Sequence, residues 1–495
     1  MVPGMAKVVK TPEHSLSPRV HALDHEGYLA IHTASLEILE QTGCHVPVPE
    51  ARSVLGDAGA RVDGDRVRIP AHLVEHALTS LTPVTLYDRL GRPALPLASG
   101  RVTFGSLVDT FYVLDLESKR ARPFQKADQA WLATVLDALP NIDWLQCVGQ
   151  AHDVPENLQT QMAVAQTIRH SVKPILVYPY DRQGLLDVLR LGEAIAGGRD
   201  AFRARPFMFF ASVPAAPLSG TAYNLEILLA CAEHQVPVVY YNCPAIGGNS
   251  PCSLAGTLAL ANADWLSAVV IHQLKRPGAP FCSGGFTLQT MDMRTTLWAY
   301  SAPEAQHGYA AIADLAHGYG LPAWGLEMNC DTPALDLQAG LELGTNCLWG
   351  MLSGVELVHN SGMIGGGKLC SAEGFVLADE IIGFTRASLQ ARPGAEQSLA
   401  ELRVMVDEVG PGGQYVSHPH TLEHFRDFWY PSILDRSNFD PLSDRQGPSL
   451  TDRLNARAQQ IMTSHEPAPL ADDVLREIGR IEAGWLKTRS RGGSA

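Results

Sequence analysis

Apolar positions recur along this chain in two successive patterns. Between residues 21 and 82 the pattern is helical: Leu29, Ile31, Ala34, Leu36 and Ile38 follow a helical repeat that stops near Gly43. A polar turn, VDGDRVRIP, leads to a second helix over 70–81, where Pro70 takes a first-turn position whose N–H has no helical partner. From about residue 100 the chain becomes periodic. Short apolar runs stand at 102–106, 144–150, 174–180 and 207–213, then at 237–243, 280–286, 322–328 and 355–360. Most are continuous rather than alternating, as parallel strands covered on both faces require. Helical stretches separate them, for example at 126–139, 183–196, 222–234 and 304–318.

A strand followed by a helix, repeated eight times, predicts an α/β protein built on a (β/α)8 TIM-type barrel. An open doubly wound sheet is the competing arrangement. No G-x-G-x-x-G follows the first strand, which weakens a dinucleotide reading. The expected organisation is an N-terminal helical segment over 1–100, the barrel over 101–392, and a C-terminal helical extension over 393–495 packed on it. The closing SRSRGGSA is expected to be disordered.

Composition narrows the partners. Hydrophobic residues make up 46% and charged residues 18%, which suits a large folded core. A formal net charge of −14 with no basic block repels phosphate backbones, so nucleic acid is not an expected partner. The most apolar segment, 254–274, is interrupted by Asn262, Asp264, His272 and Gln273, and reads as a buried helix rather than a membrane span. No signal-like apolar stretch opens the chain. The nine cysteines are scattered without a C-x-x-C pair, against a disulfide framework or a zinc ribbon. A cytoplasmic location and a homo-oligomer are the expectations.

In a barrel of this kind the chemistry gathers where strands end, because the following loops converge there. The strand ends supply Ser106, Asp109, Gln150, His152, Tyr178, Tyr180, Ser212, Tyr241, Asn242 and Ser283, then Glu327, Asn329, Asp331, His359 and Asn360. Tyr178, Tyr180, Tyr241, Phe286 and Trp324 form an aromatic subset that could hold an alkylammonium over ring faces, or could simply fill the interior. His152, Asp331 and His359 could meet around zinc, but neither H-x-H after the first strand nor H-E-x-x-H is present, so no metal site is expected. His418, His420 and His424 in the tail read as helix-start and packing residues. There is no G-x-S-x-G elbow, and Cys330 has no evident base. The glycine run GMIGGGK is either a close-approach loop for a phosphate or a flexible connection.

Three long segments add a resemblance. GGNSPCSLAGTLALANADWLSAVVIHQLKRPGAPF, GYGLPAWGLEMNCDTPALDLQAGLE and GPGGQYVSHPHTLEHFRDFWYP are similar, in that order, to the signature regions of the trimethylamine methyltransferase family. Asp331, Asp336, Gln338 and Gly340 fall within its pattern. The resemblance implies a barrel that passes a methyl group to cobalt(I) of a corrinoid (cobalamin) carried by a separate protein docked at the mouth, with no tightly bound cofactor of its own. Some members carry pyrrolysine and demethylate trimethylamine. This chain has only standard residues, including in GLEMNCDT, so it resembles the pyrrolysine-free branch that includes glycine betaine enzymes. Asp264 stands where Glu is expected, Cys252 precedes Ser253 where a β-branched residue and Thr are commoner, and HNSGMIGGGKLCSAEG departs in detail.

The expected substrate is therefore a small quaternary amine of the betaine type, with a sulfonium, a tertiary amine or a metal-dependent hydrolysis as alternatives. A quaternary nitrogen leaves as a neutral amine and needs no proton donor. The expected catalytic residues are His359, Glu327 and Asp331. Substrate binding is expected of Tyr178, Tyr180, Tyr241, Asn242, Trp324, Asn329, Gln150 and Phe286.

Overall fold

The computed structural model describes residues 19–97, 100–106, 110–147, 149–389, 399–438 and 447–489. Each of the eight expected strand positions holds a strand: β1 Thr103–Phe104, β2 Leu145–Gln146, β3 Ile175–Val177, β4 Met208–Ser212, β5 Val238–Tyr240, β6 Gly284–Gly285, β7 Ala323–Asn329 and β8 Leu357–Met363. They form two four-stranded sheets, ordered β5-β4-β3-β2 and β6-β7-β8-β1, with every neighbour parallel. Single parallel bridges join the sheets at both margins, Gly105 with Trp144 and Val238 with Phe281.

A helix follows every strand: Lys126–Ala138, Gln159–His170, Arg182–Ala196 and Ala222–His234, then Leu254–Lys275, Pro303–Gly318, Leu337–Ser353 and Ala372–Leu389. Local chemistry sets their starts. Asp336 accepts hydrogen bonds from the amides of Gln338 and Ala339 at 2.9 and 3.2 Å, and Thr221 forms a reciprocal cap with Asn224. Helix Leu254–Lys275 is long and apolar enough to cross a membrane, but most of it is buried inside this fold.

Alternation along the strands divides the core into two environments. Ile175, Val177, Met208, Phe210 and Val238 face outward to the helices. Trp144, Leu176, Phe209, Val239, Tyr241, Cys282, Trp324 and Leu357 form a separate inner cluster with Val84, Leu86, Leu95 and Leu97. Those last four belong to or flank an antiparallel hairpin, Thr85–Tyr87 with Pro93–Pro96. The amide of Tyr87 donates to Pro206 O at 2.9 Å, just before β4, so the hairpin covers the ends where strands begin. Each of its buried aliphatic side chains contributes about 1.5–3 kcal/mol of burial. The opposite, C-terminal ends of the strands are left for the site.

The N-terminal segment is less helical than expected. Helices His25–Glu37, Pro49–Asp57 and Ala71–Thr79 are joined by a small antiparallel sheet of Cys44–His45, Arg61–Asp63 and Arg66–Arg68. The VDGDR turn is a hairpin tip, with Gly64 at φ +60°, a conformation that favours glycine. Among the described tail residues, helices Leu450–Ser464 and Asp472–Arg489 lie outside the helical layer. Asn455 donates to Glu373 at 2.8 Å, His465 pairs with Asp137 at 2.8 Å, and Arg169 grips Glu482 at 2.8 and 2.7 Å.

Candidate functional site

The inner cluster ends in a layer of rings. Tyr241, following β5, stacks on Trp324 of β7 with centroids 4.8 Å apart and planes at 28°. Trp324 also stacks on His359 of β8 at 4.6 Å and 17°. Trp144 and Phe209 extend the layer inward, with Trp144 5.8 Å from Trp324 and 5.5 Å from Phe209. Tyr178, following β3, joins through its hydroxyl, 3.0 Å from that of Tyr241. Two glycines make this packing possible. A Cβ at Gly105 would sit 2.4 Å from the Trp144 ring, and one at Gly285 (φ +106°) 2.3 Å from Trp324 O.

Backbone irregularity marks the same place. The β7–β8 pairing shifts register between Trp324 and Glu327 and again before Asn329, and Asn360 has φ +58°. Such bulges re-aim side chains at strand ends. Asn360 is held by Ser106 O, 3.1 Å from its amide, and its side-chain oxygen accepts from Gln146 Nε2 at 3.2 Å.

His359 is buried, and that burial pushes its pKa down to about 3 against the opposing pull of hydrogen bonds with Asn360 and Gly325. Its ring is therefore neutral across the physiological range, with one N–H rather than the two of an imidazolium. The face of Trp324 toward His359 is already covered. Stacking at 4.6 Å leaves no room for a cation between them, so an alkylammonium would have to meet the layer from the Tyr178–Tyr241 side.

The other expected residues are dispersed. Gln150 and Tyr180 hydrogen-bond to one another at a more exposed position, Tyr180 being 46% exposed. Asp331 accepts from the amides of Tyr300 and Ser301 at 3.0 and 3.4 Å, and its own amide donates to Glu342 at 2.7 Å. It braces two loops. Asn329 is buried at the end of β7, where its carbonyl accepts from Asn346 at 3.0 Å. Glu327 pairs with His359 through the backbone, but its side chain lies outside the described residues, as does Asp109. Phe286 packs on the helical side with Ile312 and Tyr309 rather than in the inner cluster. Asn242 also faces outward, donating to Asp264 at 2.7 Å and to Ala261 O at 2.9 Å. Trp144, Phe209 and Gln146 belong to the inner layer and were not among the expected residues. Within continuous apolar runs, parity alone could have found them, counted from a residue known to face inward.

His152, Asp331 and His359 do not come together. The first is exposed beside Tyr112, with ring centroids 6.4 Å apart, and no group of three or more metal-ligating side chains occurs among the described residues. His418 accepts from the amide of His420 at 3.2 Å, a helix-capping role. Cys330 is buried and its thiol pushed up to about 12, chiefly by desolvation. Gly365, Gly366 and Gly367 all have left-handed φ, and the first two amides donate to Thr332 O and Cys330 O at 2.8 and 3.0 Å. The glycine run is an ordered turn tying the β7 and β8 loops together.

Residues 3–482 match the family model described as trimethylamine methyltransferase (MTTB). The chain is 27% identical over 461 residues to a trimethylamine methyltransferase MttB of Desulfitobacterium hafniense, covering 92% of each. It is likewise 27% identical over 463 residues to a glycine betaine methyltransferase of the same species, covering 93% of this chain and 96% of that one. The solved monomethylamine methyltransferase MtmB of Methanosarcina barkeri aligns over 89% of both chains at 11% identity, with a TM-score of 0.48. With a family model matched over nearly its whole length, this chain belongs to the trimethylamine methyltransferase family and is a methyl-transferring enzyme.

Proposed function

We propose that this enzyme removes a methyl group from a small quaternary amine of the betaine type and delivers it to a corrinoid carried by a partner protein. The two parallel sheets, bridged at both margins and each strand followed by a helix, are read here as one closed (β/α)8 barrel whose C-terminal mouth admits both reactants. The observation that carries the substrate class is the neutral ring layer: Tyr178, Tyr241 and Trp324 with an uncharged His359. Ring faces attract a weakly hydrated cation, each good contact giving about 0.5–2 kcal/mol. A permanently charged nitrogen leaves as a neutral amine, so the site needs no strong acid, and His359 at a pKa of about 3 supplies none.

Two of the buried thiols are poor methyl acceptors. The thiols of Cys330 and Cys282 are both raised by burial, that of Cys330 to about 12. In this reading the acceptor arrives from outside on a docked carrier; a cobalt(I) corrinoid would supply the nucleophile. The protein's work is to orient one methyl toward the mouth, exclude water and hold the cation. A sulfonium satisfies the same chemistry and is the alternative substrate.

The test mixes the purified protein with chemically reduced cobalamin and a panel of betaines, sulfoniums and trimethylamine. Growth of methylcobalamin absorbance with a betaine is the expected result. Turnover of trimethylamine alone would overturn the quaternary reading.

A further inference from the structure

Tyr241 emerges into the ring layer from a backbone that is held from behind. Its two sequence neighbours, Tyr240 and Asn242, face the opposite side of the strand, as alternation requires. There they meet a single side chain of helix Leu254–Lys275, the carboxylate of Asp264, which is 1% exposed. Asn242 Nδ2 donates to Asp264 Oδ2 at 2.7 Å, and Tyr240 OH lies 3.1 and 3.3 Å from the two carboxylate oxygens. The amide of Leu218 donates to Oδ1 at 2.9 Å. We propose that Asp264 is a positioning residue: it fixes the Tyr241 ring by gripping the residues on both sides of it, and the grip loosens when the carboxylate takes a proton. This rests on the reading of Tyr241 as part of an onium site.

The chemistry of the grip makes it sensitive to protonation. A carboxylate can accept from three donors at once, whereas a carboxyl presents an O–H to them, so the Tyr240 hydroxyl must turn to accept it or an N–H donor must give way. Asn242 Oδ1 has no hydrogen-bond partner among the described residues, so its orientation depends on what its Nδ2 reaches.

The charge also weakens the fold. Burial raises the Asp264 pKa to about 7, although all three donors pull it down. With a folded value above the ordinary 3.8, the folded state binds the proton more tightly. Ionising Asp264 therefore destabilises the fold as pH rises from about 4 through 7. A neutral residue would pack there at less cost, which points to a use for the charge. The groups facing it are neutral. The Tyr240 hydroxyl is pushed well above its ordinary range, and the Cys44 thiol on the N-terminal strand is pushed up to about 12. Tyr223 of helix Ala222–His234 pushes the Tyr240 hydroxyl further up, while His45 turns to Gly220 O at 3.1 Å and Asp65 at 3.8 Å.

The test places 3-fluorotyrosine at position 241 of the full chain and follows its fluorine resonance with pH, without ligand. A shift with a midpoint near 7 is expected, absent in Asp264→Asn and retained with an altered midpoint in Asp264→Glu. In parallel, calorimetry measures tetramethylammonium and glycine betaine binding. Affinity should fall about tenfold from about pH 8 to about pH 6 in the wild type and be weak and flat in Asp264→Asn, while His359 stays neutral throughout. A resonance that ignores pH, or that behaves alike in wild type and Asp264→Asn, overturns the proposal. If Asp264→Asn does not fold, an unmoved midpoint in Asp264→Glu overturns it equally. If the resonance follows Asp264 but neither cation binds at any pH, the positioning stands and the onium site falls.

Discussion

The two ends of the strand layer are built by opposite rules. Where strands begin, buried carboxylates are fully engaged with backbone amides and basic groups. Asp143 accepts from the amide of Phe104 at 2.9 Å and pairs with Arg101 and Arg386, each at 2.7 Å. Glu356 accepts from the amide of Ala323 at 2.7 Å and from His317 at 2.8 Å. Asp137 takes the amide of Val172, the hydroxyl of Ser171 and the ring of His465. In the interior toward the strand ends, neutral rings are stacked instead, and polar atoms are left over. Gln146 Oε1 and Ser361 Oγ are buried without a hydrogen-bond partner among the described residues. Each unmet group costs about 1–3 kcal/mol. One end is saturated to hold the fold, and the other has unmet hydrogen-bonding capacity, which the proposed site would offer to a ligand.

The sharpest way to break this division is at the saturated end. Asp143→Ala leaves Arg101 and Arg386 without their carboxylate and the amide of Phe104 without its acceptor, and should cost about 3 kcal/mol of stability. Chemical denaturation reads that loss directly. Cation affinity of the remaining folded protein should be unchanged; a variant that stays stable but loses binding would contradict the separation of roles.

At the ring layer the expected effect is smaller and of the other kind. Replacing Tyr178, Tyr241 and Trp324 together by Leu should weaken tetramethylammonium binding by about 2 kcal/mol, roughly thirtyfold. The Tyr→Phe changes at 178 and 241 keep the faces and remove the 3.0 Å hydroxyl contact, so they should retain most of the affinity. Unchanged affinity in the triple variant would remove the rings from the site.

The same contrast explains what the sequence could reveal. All eight core strands were legible, because runs buried on both faces are continuous in apolar residues, and Pro174, Pro237, Pro280 and Pro322 stand just before β3, β5, the β6 region and β7. That continuity also hid which residues face inward. Tyr241 and Asn242 are adjacent and both polar-tipped, yet one faces the rings and the other Asp264. The short antiparallel pairs were not legible either. Thr85–Tyr87 with Pro93–Pro96 contains two prolines, and Gln289–Asp292 with Leu297–Ala299 lacks a strict alternation. Both are fixed by what they pack on, rather than by local pattern.

His359 offers the finest discrimination, because its burial predicts both what it does and how it responds to acid. Its folded pKa, about 3, lies below the ordinary 6.5, so the fold favours the neutral ring. The sign follows directly: its contribution to stability is full above about pH 6.5 and is lost as pH falls from there toward 3. Below 6.5 the loss attributable to this ring is about 1.4 kcal/mol per pH unit. His359→Gln, which retains a donor but cannot titrate, should therefore lose less stability in acid than the wild type by that increment, read as the difference between two denaturation series. His272, also held near 3 by burial, remains in both proteins and cancels from the comparison. For catalysis, His359→Ala should lower methyl transfer at least about tenfold, or about 1.4 kcal/mol, with the fold intact. His359→Gln should recover part of that if the ring's role is to donate one hydrogen bond. Because the ring stays neutral, neither the wild type nor the Gln variant should show a rate limb near pH 6.5 arising from this residue. A limb there that disappears only in His359→Gln would mean that the ring is charged in the working enzyme, and the neutral layer would no longer describe the site.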